Sequence, residues 1–273
     1  MPENSNALRI PETLLKVKSL IGVFSAKGGV GKSMISLNLA KSLNALGHKV
    51  GLVDGDIYGP SQAIMLDVAE KTVEVKDQKM LKPLMVDGIS FMSMGLISSD
   101  RMPVIWRGPM VSGAIMQLLS QTEWGSLDYL IIDTPPGTGD IQLTLMQRLP
   151  LTAAIVVTTP EEVSISDTRK GIEMINKLSI PILGLVENMS YFNCNNCDER
   201  HYIFGKGGGQ KLATEYNLDL LTSFPLLNSD ENKNILQNSI CKENFAKLAE
   251  SVRQEIGNLR TSQSEGIPQT TLK

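Results

Sequence analysis

No segment of these 273 residues holds the roughly 18 uninterrupted apolar residues that a membrane-spanning helix requires. The opening stretch, MPENSNALRIPETLLKVKS, lacks the apolar run of a signal peptide, and Glu3 and Glu12 suit a mitochondrial presequence poorly. A basic excess is missing too. With 26 Lys and Arg against 29 Asp and Glu, the formal net charge of -3 argues against a general nucleic-acid surface. Three cysteines, Cys194, Cys197 and Cys241, are too few for a disulfide framework. Neither a solenoid-period repeat nor a clear internal linker is present. The expectation is a soluble, cytoplasmic protein whose partners include neither membrane nor nucleic acid.

What is present is an alternation of β-rich apolar runs with helical patterns. SLIGVFS (19–25), HKVGLVD (48–54), ISFMSMGL (89–96), LDYLIID (127–133), AAIVVTT (153–159), IPILGLVEN (180–188) and LDLLTSF (218–224) read as strands. Several are apolar at consecutive positions, as strands covered on both faces are. The fold class expected is therefore α/β: a doubly wound, mostly parallel sheet flanked by helices on both faces. Residues 55–88, mixing Gly, Pro and charge, read as a surface excursion between two strands. Phe245, Leu248, Val252, Ile256 and Leu259 mark the apolar face of an amphipathic helix, on which Cys241 reads as a partly buried thiol. The domain reading is an N-terminal extension over 1–18, one domain over 19–260 and a disordered tail over 261–273.

Between the first strand and the first helix lies AKGGVGKS, a glycine-rich loop whose backbone N-H groups and following helix N-terminus can cradle phosphate oxygens. Gly28, Gly29 and Gly31 permit close approach of the backbone, Lys32 can reach the β and γ phosphates, and the Ser33 hydroxyl can ligate Mg²⁺. The strict pattern GxxxxGK[ST] asks for glycine at position 26, where this chain has Ala26 followed by Lys27. Asp54 and Asp56 in LVDGDIYGPS end one strand, and either can orient an attacking water. Asp133, in LIIDTPPGTGD, ends another and is placed to hold the Mg²⁺ shell, while Asp140 can serve as a helix opener. The guanine-reading NKxD pattern is absent after the strand that ends at Asn188, which favours ATP over GTP.

The box KGGVGKS resembles the deviant phosphate loop of the MinD-like P-loop ATPases. The ordered set DGDIYGPS (54–61), WRGPM (106–110), DTPPGTGD (133–140), ENMSYF (187–192), CxxC (194–197) and IFGKGGGQKLA (203–213) resembles the Mrp/ApbC-type iron-sulfur cluster carrier ATPases over about residues 18–225. That resemblance implies an ATP site of Lys27, Gly28, Gly29, Val30, Gly31, Lys32 and Ser33, with Asn188 against the adenine. It implies that Lys27 crosses a nucleotide-sandwich homodimer to the partner's phosphates, that Asp56 positions the water, and that Asp133 is the Mg²⁺-shell carboxylate. Catalysis then falls to Lys27, Lys32 and Asp56. It also makes Cys194 and Cys197 the ligands of a cluster that is passed to apoprotein acceptors. Departures are Asn195 and Asn196, where the family has proline, and PLLNSDENKNILQNS, which lacks the family's arginine. With about 18 residues before the first strand, the small extra domain of many bacterial relatives is not expected in this chain.

By themselves the residues NCNNCD leave metal binding, redox chemistry and neither open. One CxxC supplies two of the four thiolates that a [4Fe-4S] cluster wants, and a two-fold dimer supplies all four. Zinc held by Cys194, Cys197, His201 and a fourth ligand such as Cys241 is an alternative. A thiol-disulfide pair is expected at a helix start, which the pattern around Cys194 does not provide. A further alternative is a positioning ATPase of the MinD or ParA kind acting on membrane or DNA, although Lys242, Lys247 and Arg253 alternate with Glu243, Glu250 and Glu255 in the terminal helix.

Overall fold

The computed structural model describes residues 10–56, 59, 61–76, 80–97, 108–194, 196–197, 199–228 and 235–265. Ile57, Tyr58 and Pro60 of DGDIYGPS, Trp106 and Arg107 of WRGPM, Asn195 of the CxxC, and residues 266–273 of the expected tail lie outside them.

In chain order the elements are β1 (Val17–Phe24), α1 (Lys32–Ala45), β2 (Val50–Asp54), the single turn α2 (Gln62–Met65), β3 (Val75–Lys76), β4 (Met80–Leu81), β5 (Leu84–Val86), β6 (Ile89–Ser93) and α3 (Gly108–Gln121). There follow β7 (Leu127–Asp133), α4 (Asp140–Arg148), β8 (Ala153–Thr158), α5 (Glu162–Lys177), β9 (Ile182–Glu187), β10 (Phe192–Asn193), β11 (Arg200–His201), α6 (Gly208–Glu215), β12 (Leu220–Ser223) and α7 (Ser239–Glu265). Eight strands form one sheet in the order β12-β9-β8-β1-β7-β2-β6-β5, parallel throughout except for β5 against β6.

The central strands are covered on both sides, and their side chains sort by parity. Ile21, Val23, Tyr129, Ile131, Ile155 and Val157 enter one core with Leu39, Leu43, Phe245, Leu248 and Val252 of α1 and α7. Leu20, Leu130 and Ile132 enter a second core with Ile115 and Leu118 of α3, and Ala154 and Val156 a third with Ile172 of α5 and Leu212 of α6. Because β1 lies at the centre with later strands added on both sides, the strand order reverses there. The crevice at its carboxyl end is where such sheets bind ligands.

Five expectations change. The run 89–96 is not one strand, because the Ser93 hydroxyl accepts the Gly95 N-H and turns the chain into a 3-10 turn over Met94–Leu96. Residues 55–88 are more than an excursion, since β5 joins the sheet as its antiparallel edge. Cys241 is wholly rather than partly buried, in the core face of α7. That helix runs to Glu265, past the start of the expected tail at 261, because no glycine or proline stands between Arg260 and Gly266 and Arg260 donates to the Ser19 hydroxyl at 2.8 Å. At the other end the packed fold begins before residue 19: β1 starts at Val17, and Leu14 is buried in the second core.

Candidate nucleotide and metal site

Register brings the acidic strand ends together. Asp54 pairs with Asp133 across β2 and β7, and the Gly55 N-H donates to the Asp133 carbonyl at 2.9 Å. The Asp133 side chain is fully buried and saturated with donors. Lys32 Nζ lies 2.5 Å from Oδ1, Ser36 Oγ 3.1 Å from the same atom, and Gln62 Nε2 2.8 Å from Oδ2. Lys32 is itself buried, so this is an ion pair inside the protein rather than on its surface. Asp54 accepts the N-H groups of Asp56 and Gln62 and the Ser93 hydroxyl.

Burial, and then the nearby charge of Asp133, push the Asp54 carboxyl up to about 7, while the two N-H groups and Lys32 pull the other way. Folded Asp54 thus keeps a proton that the unfolded chain gives up near 3.8. Between those values the native state binds more protons, and stability falls as pH rises. Asp54→Asn, which resembles the protonated acid, is expected to raise stability at about pH 8 by about 2–3 kcal/mol more than it does at about pH 5. Urea unfolding at both pH values checks this; an equal shift at both would contradict it.

Two neighbouring carboxyl groups, one held partly protonated by burial and then by the other's charge, form a hard-oxygen donor set of the kind a divalent cation such as Mg²⁺ neutralises. Ser33 is half-buried in the first turn of α1, the helix opened by Lys32. Asp56, also half-buried, sits just beyond β2, its N-H pinned by Asp54.

The phosphate loop is shaped from behind by Asn188. Gly31 adopts φ +85°, and a Cβ there would overlap Asn188 Nδ2. Only glycine meets both demands. The Asn188 amide donates to the Val30 carbonyl at 2.9 Å, and since nitrogen is the group's only donor the carboxamide orientation is fixed. Its Oδ1 is buried and accepts no hydrogen bond among the described residues. Gly28 and Gly29 are exposed, and the loop is braced against DTPPG by the Gly137 N-H on the Ser25 carbonyl, 2.9 Å. A cavity of about 140 Å³ is lined by Lys27, Gly28, Gly29, Val30, Thr159, Glu161, Met189 and Phe204. Lys27 Nζ lies 2.9 Å from Glu161, both side chains nearly half exposed. Such a pair is worth about 0–1 kcal/mol, too little to hold the lysine against a phosphate.

The cysteines sit on a β-hairpin that leaves the sheet after β9. Its base is anchored through Glu187, which accepts the Ser190 hydroxyl at 2.8 Å and the Gly209 N-H at the start of α6 at 2.5 Å. Ser190 N donates to the Phe224 carbonyl, and Leu226 N to that of Tyr191. Strands β10 and β11 form the arms, with Cys194 and Cys197 in the connecting turn, the first half-buried and the second exposed. The sulfur atoms and a ring nitrogen of His201 lie within 4.8 Å of one another. Cys241 is outside this group, in the core. Cys194 ends a strand arm rather than opening a helix, which removes the setting that activates thioredoxin-like pairs.

A family model described as ParA: NUBPL iron-transfer P-loop NTPase matches residues 16–258. The chain belongs to this family. Among similar proteins, the iron-sulfur cluster carrier protein of Pseudomonas fragi is 51% identical over 214 residues, 78% of this chain and 75% of that protein. Its namesake in Methanocaldococcus jannaschii is 52% identical over 221 residues, 80% and 76% of the two chains. In Haemophilus influenzae the identity is 50% over 210 residues, 77% of this chain, which spans 57% of that longer relative. A solved nucleotide-binding protein from Archaeoglobus fulgidus, in complex with ADP, superposes with a TM-score of 0.71 at 36% identity, covering 86% of this chain and 90% of that one. The MinD protein of Pyrococcus horikoshii complexed with Mg-ADP gives 0.62 at 22% identity, covering 88% and 98%, a likeness of fold alone.

In this iron-transfer P-loop NTPase, three site residues carried no signal in the sequence. Gln62 reaches Asp133 from a one-turn helix that periodicity does not reveal, and Glu161 meets Lys27 across 134 positions. Glu187 reads as part of a strand, and only the fold exposes it as the anchor of the hairpin. No helix of the described residues is long and apolar enough to cross a membrane. Along the described part of α7, Lys247 pairs with Glu243 and Arg253 with Glu250, so basic and acidic charges are interleaved there.

Proposed function

We propose that this chain is an ATP-binding and ATP-hydrolysing iron-sulfur cluster carrier that works in the cytoplasm as a homodimer. In this reading a [4Fe-4S] cluster is bound between two subunits by Cys194 and Cys197 of each, and is passed to apoproteins. The observation that carries it is the pair of adjacent, solvent-reachable thiols on a hairpin whose chain also holds a complete phosphate loop. Two thiolates per chain are half of what a four-iron cluster needs, and a two-fold axis makes up the rest.

At the nucleotide, Gly28, Gly29, Val30 and Gly31 offer backbone N-H groups to the phosphates, and Lys32 exchanges Asp133 for the β and γ oxygens. Ser33 and the released Asp133 would hold Mg²⁺, which when bound neutralises charge between the β and γ phosphates. The orphan Oδ1 of Asn188 accepts a hydrogen bond, which suits the exocyclic amine of adenine and not the carbonyl of guanine. Asp56 orients the attacking water. Lys27, weakly held by Glu161, is free to swing to the partner subunit's phosphates. Coupling to the hairpin is supported by the shared cavity, where Phe204, three residues after His201, lies with Lys27 and Gly29. A nucleotide filling that space differs in affinity between two hairpin positions, which is the only way it can bias cluster hold.

The test is transfer. Cluster-loaded protein mixed with a metal-free ferredoxin-type acceptor under anaerobic conditions is expected to restore the acceptor's spectrum, at a rate that Mg-ATP changes and excess chelator does not abolish. Restoration no faster than from free iron and sulfide would sink the carrier reading.

A further inference from the structure

The hairpin carries a third metal-binding side chain, which four cysteines sharing a cluster leave over. Antiparallel pairing sets Phe192 opposite His201 and Asn193 opposite Arg200, and the Cys194 N-H donates to the Glu199 carbonyl at 3.0 Å, one step further along. Opposed residues point to the same face and successive ones alternate, so Cys194 and His201 share a face. Arg200 takes the other face, where its guanidinium stacks 4.4 Å above the Tyr191 ring and fixes the hairpin's orientation. A tetrahedral ion with bonds of about 2.0–2.3 Å wants sulfur and nitrogen ligands about 3.6–3.8 Å apart. The three ligand atoms already lie within 4.8 Å of one another. Rotation about side-chain bonds of the exposed Cys197 and His201 is enough to close the gap.

We propose that a single chain binds one borderline divalent ion, of the Zn²⁺, Fe²⁺ or Co²⁺ class, through Cys194, Cys197 and His201, with the fourth position open to water or an incoming ligand. The inference shares with the carrier reading only the assignment of the two cysteines as ligands. It adds a distinct state of the molecule. A mononuclear ion in each monomer occupies the thiolates that a shared cluster needs, so the two states exclude each other, and His201 serves only the first.

Co²⁺ titrated anaerobically into the reduced, metal-free full-length chain tests this. The expected result is thiolate-to-cobalt charge transfer with strong visible ligand-field bands, saturating at one ion per chain while sedimentation reports monomer. His201→Ala is expected to weaken Co²⁺ binding by about tenfold or more and to alter the ligand-field bands. His201→Cys should restore tight binding with added charge-transfer intensity, and Cys194→Ala should lose it. Unchanged affinity and spectrum in both His201→Ala and His201→Asn, or saturation at half an ion per chain, would overturn the proposal. Iron and sulfide reconstitution of the same variants separates the two readings. Cluster assembly without a His201-dependent Co²⁺ site leaves the carrier standing alone. A His201-dependent site without assembly leaves only the mononuclear one.

Discussion

Lys32→Ala is expected to abolish measurable ATP hydrolysis, a loss of at least about 10²-fold, and to cost the nucleotide-free protein about 3–5 kcal/mol of stability. Loss of hydrolysis follows, in the proposed site, from removing the cation that would exchange Asp133 for the phosphates. The stability loss has a separate origin. Lys32 is the positive partner of a fully buried carboxylate, and without it Asp133 keeps only the neutral donors Ser36 and Gln62, with Asp54 close by. A buried charge left unpaired costs more than the pair was worth. The double variant Lys32→Met with Asp133→Asn should recover much of the stability while remaining inactive. Urea unfolding and phosphate release on the same preparations separate the two effects. An Lys32→Ala protein as stable as wild type would show that the ion pair contributes nothing to the fold.

The second large effect is at the hairpin. Cys194→Ala and Cys197→Ala are each expected to remove essentially all bound cluster after anaerobic reconstitution, since a two-fold site loses two of its four thiolates at once. Both side chains lie in a turn outside the three cores, Cys194 half-buried and Cys197 exposed, so thermal unfolding of the apo-proteins should move by less than about 1 kcal/mol equivalent. ATP hydrolysis should persist in both. Wild-type iron and sulfide content in either variant would remove the cysteines from the site.

Much of this layout was legible in the sequence because it is written locally. The strand, loop and helix around AKGGVGKS need only neighbouring residues, and β7 spans Leu127–Asp133 as its apolar run suggests. Consecutive apolar positions in LIID and AAIVV reported two covered faces, which the sorting of Leu130 and Ile131 into different cores bears out. What could not be read depended on distant pairings. Asp54 and Asp56 look alike in the sequence, yet register places one against Asp133 and buries it, while the other remains half-exposed at the rim. Ser93 ended a strand that composition would have continued, because a side-chain hydrogen bond outweighed the apolar character of the three residues that follow. In the same way His201 was one candidate zinc ligand near a CxxC until hairpin register placed it on the face of Cys194.

Shared ownership of the cluster is the point on which the account most depends. Native mass spectrometry of the anaerobically reconstituted protein, with iron and sulfide counted on the same sample, measures it directly. The account predicts that cluster-bearing species contain two chains and one four-iron cluster, and that the same preparation of Cys197→Ala yields only metal-poor chains. A single chain carrying a complete cluster, or dimers of the cysteine variant that retain one, would contradict it.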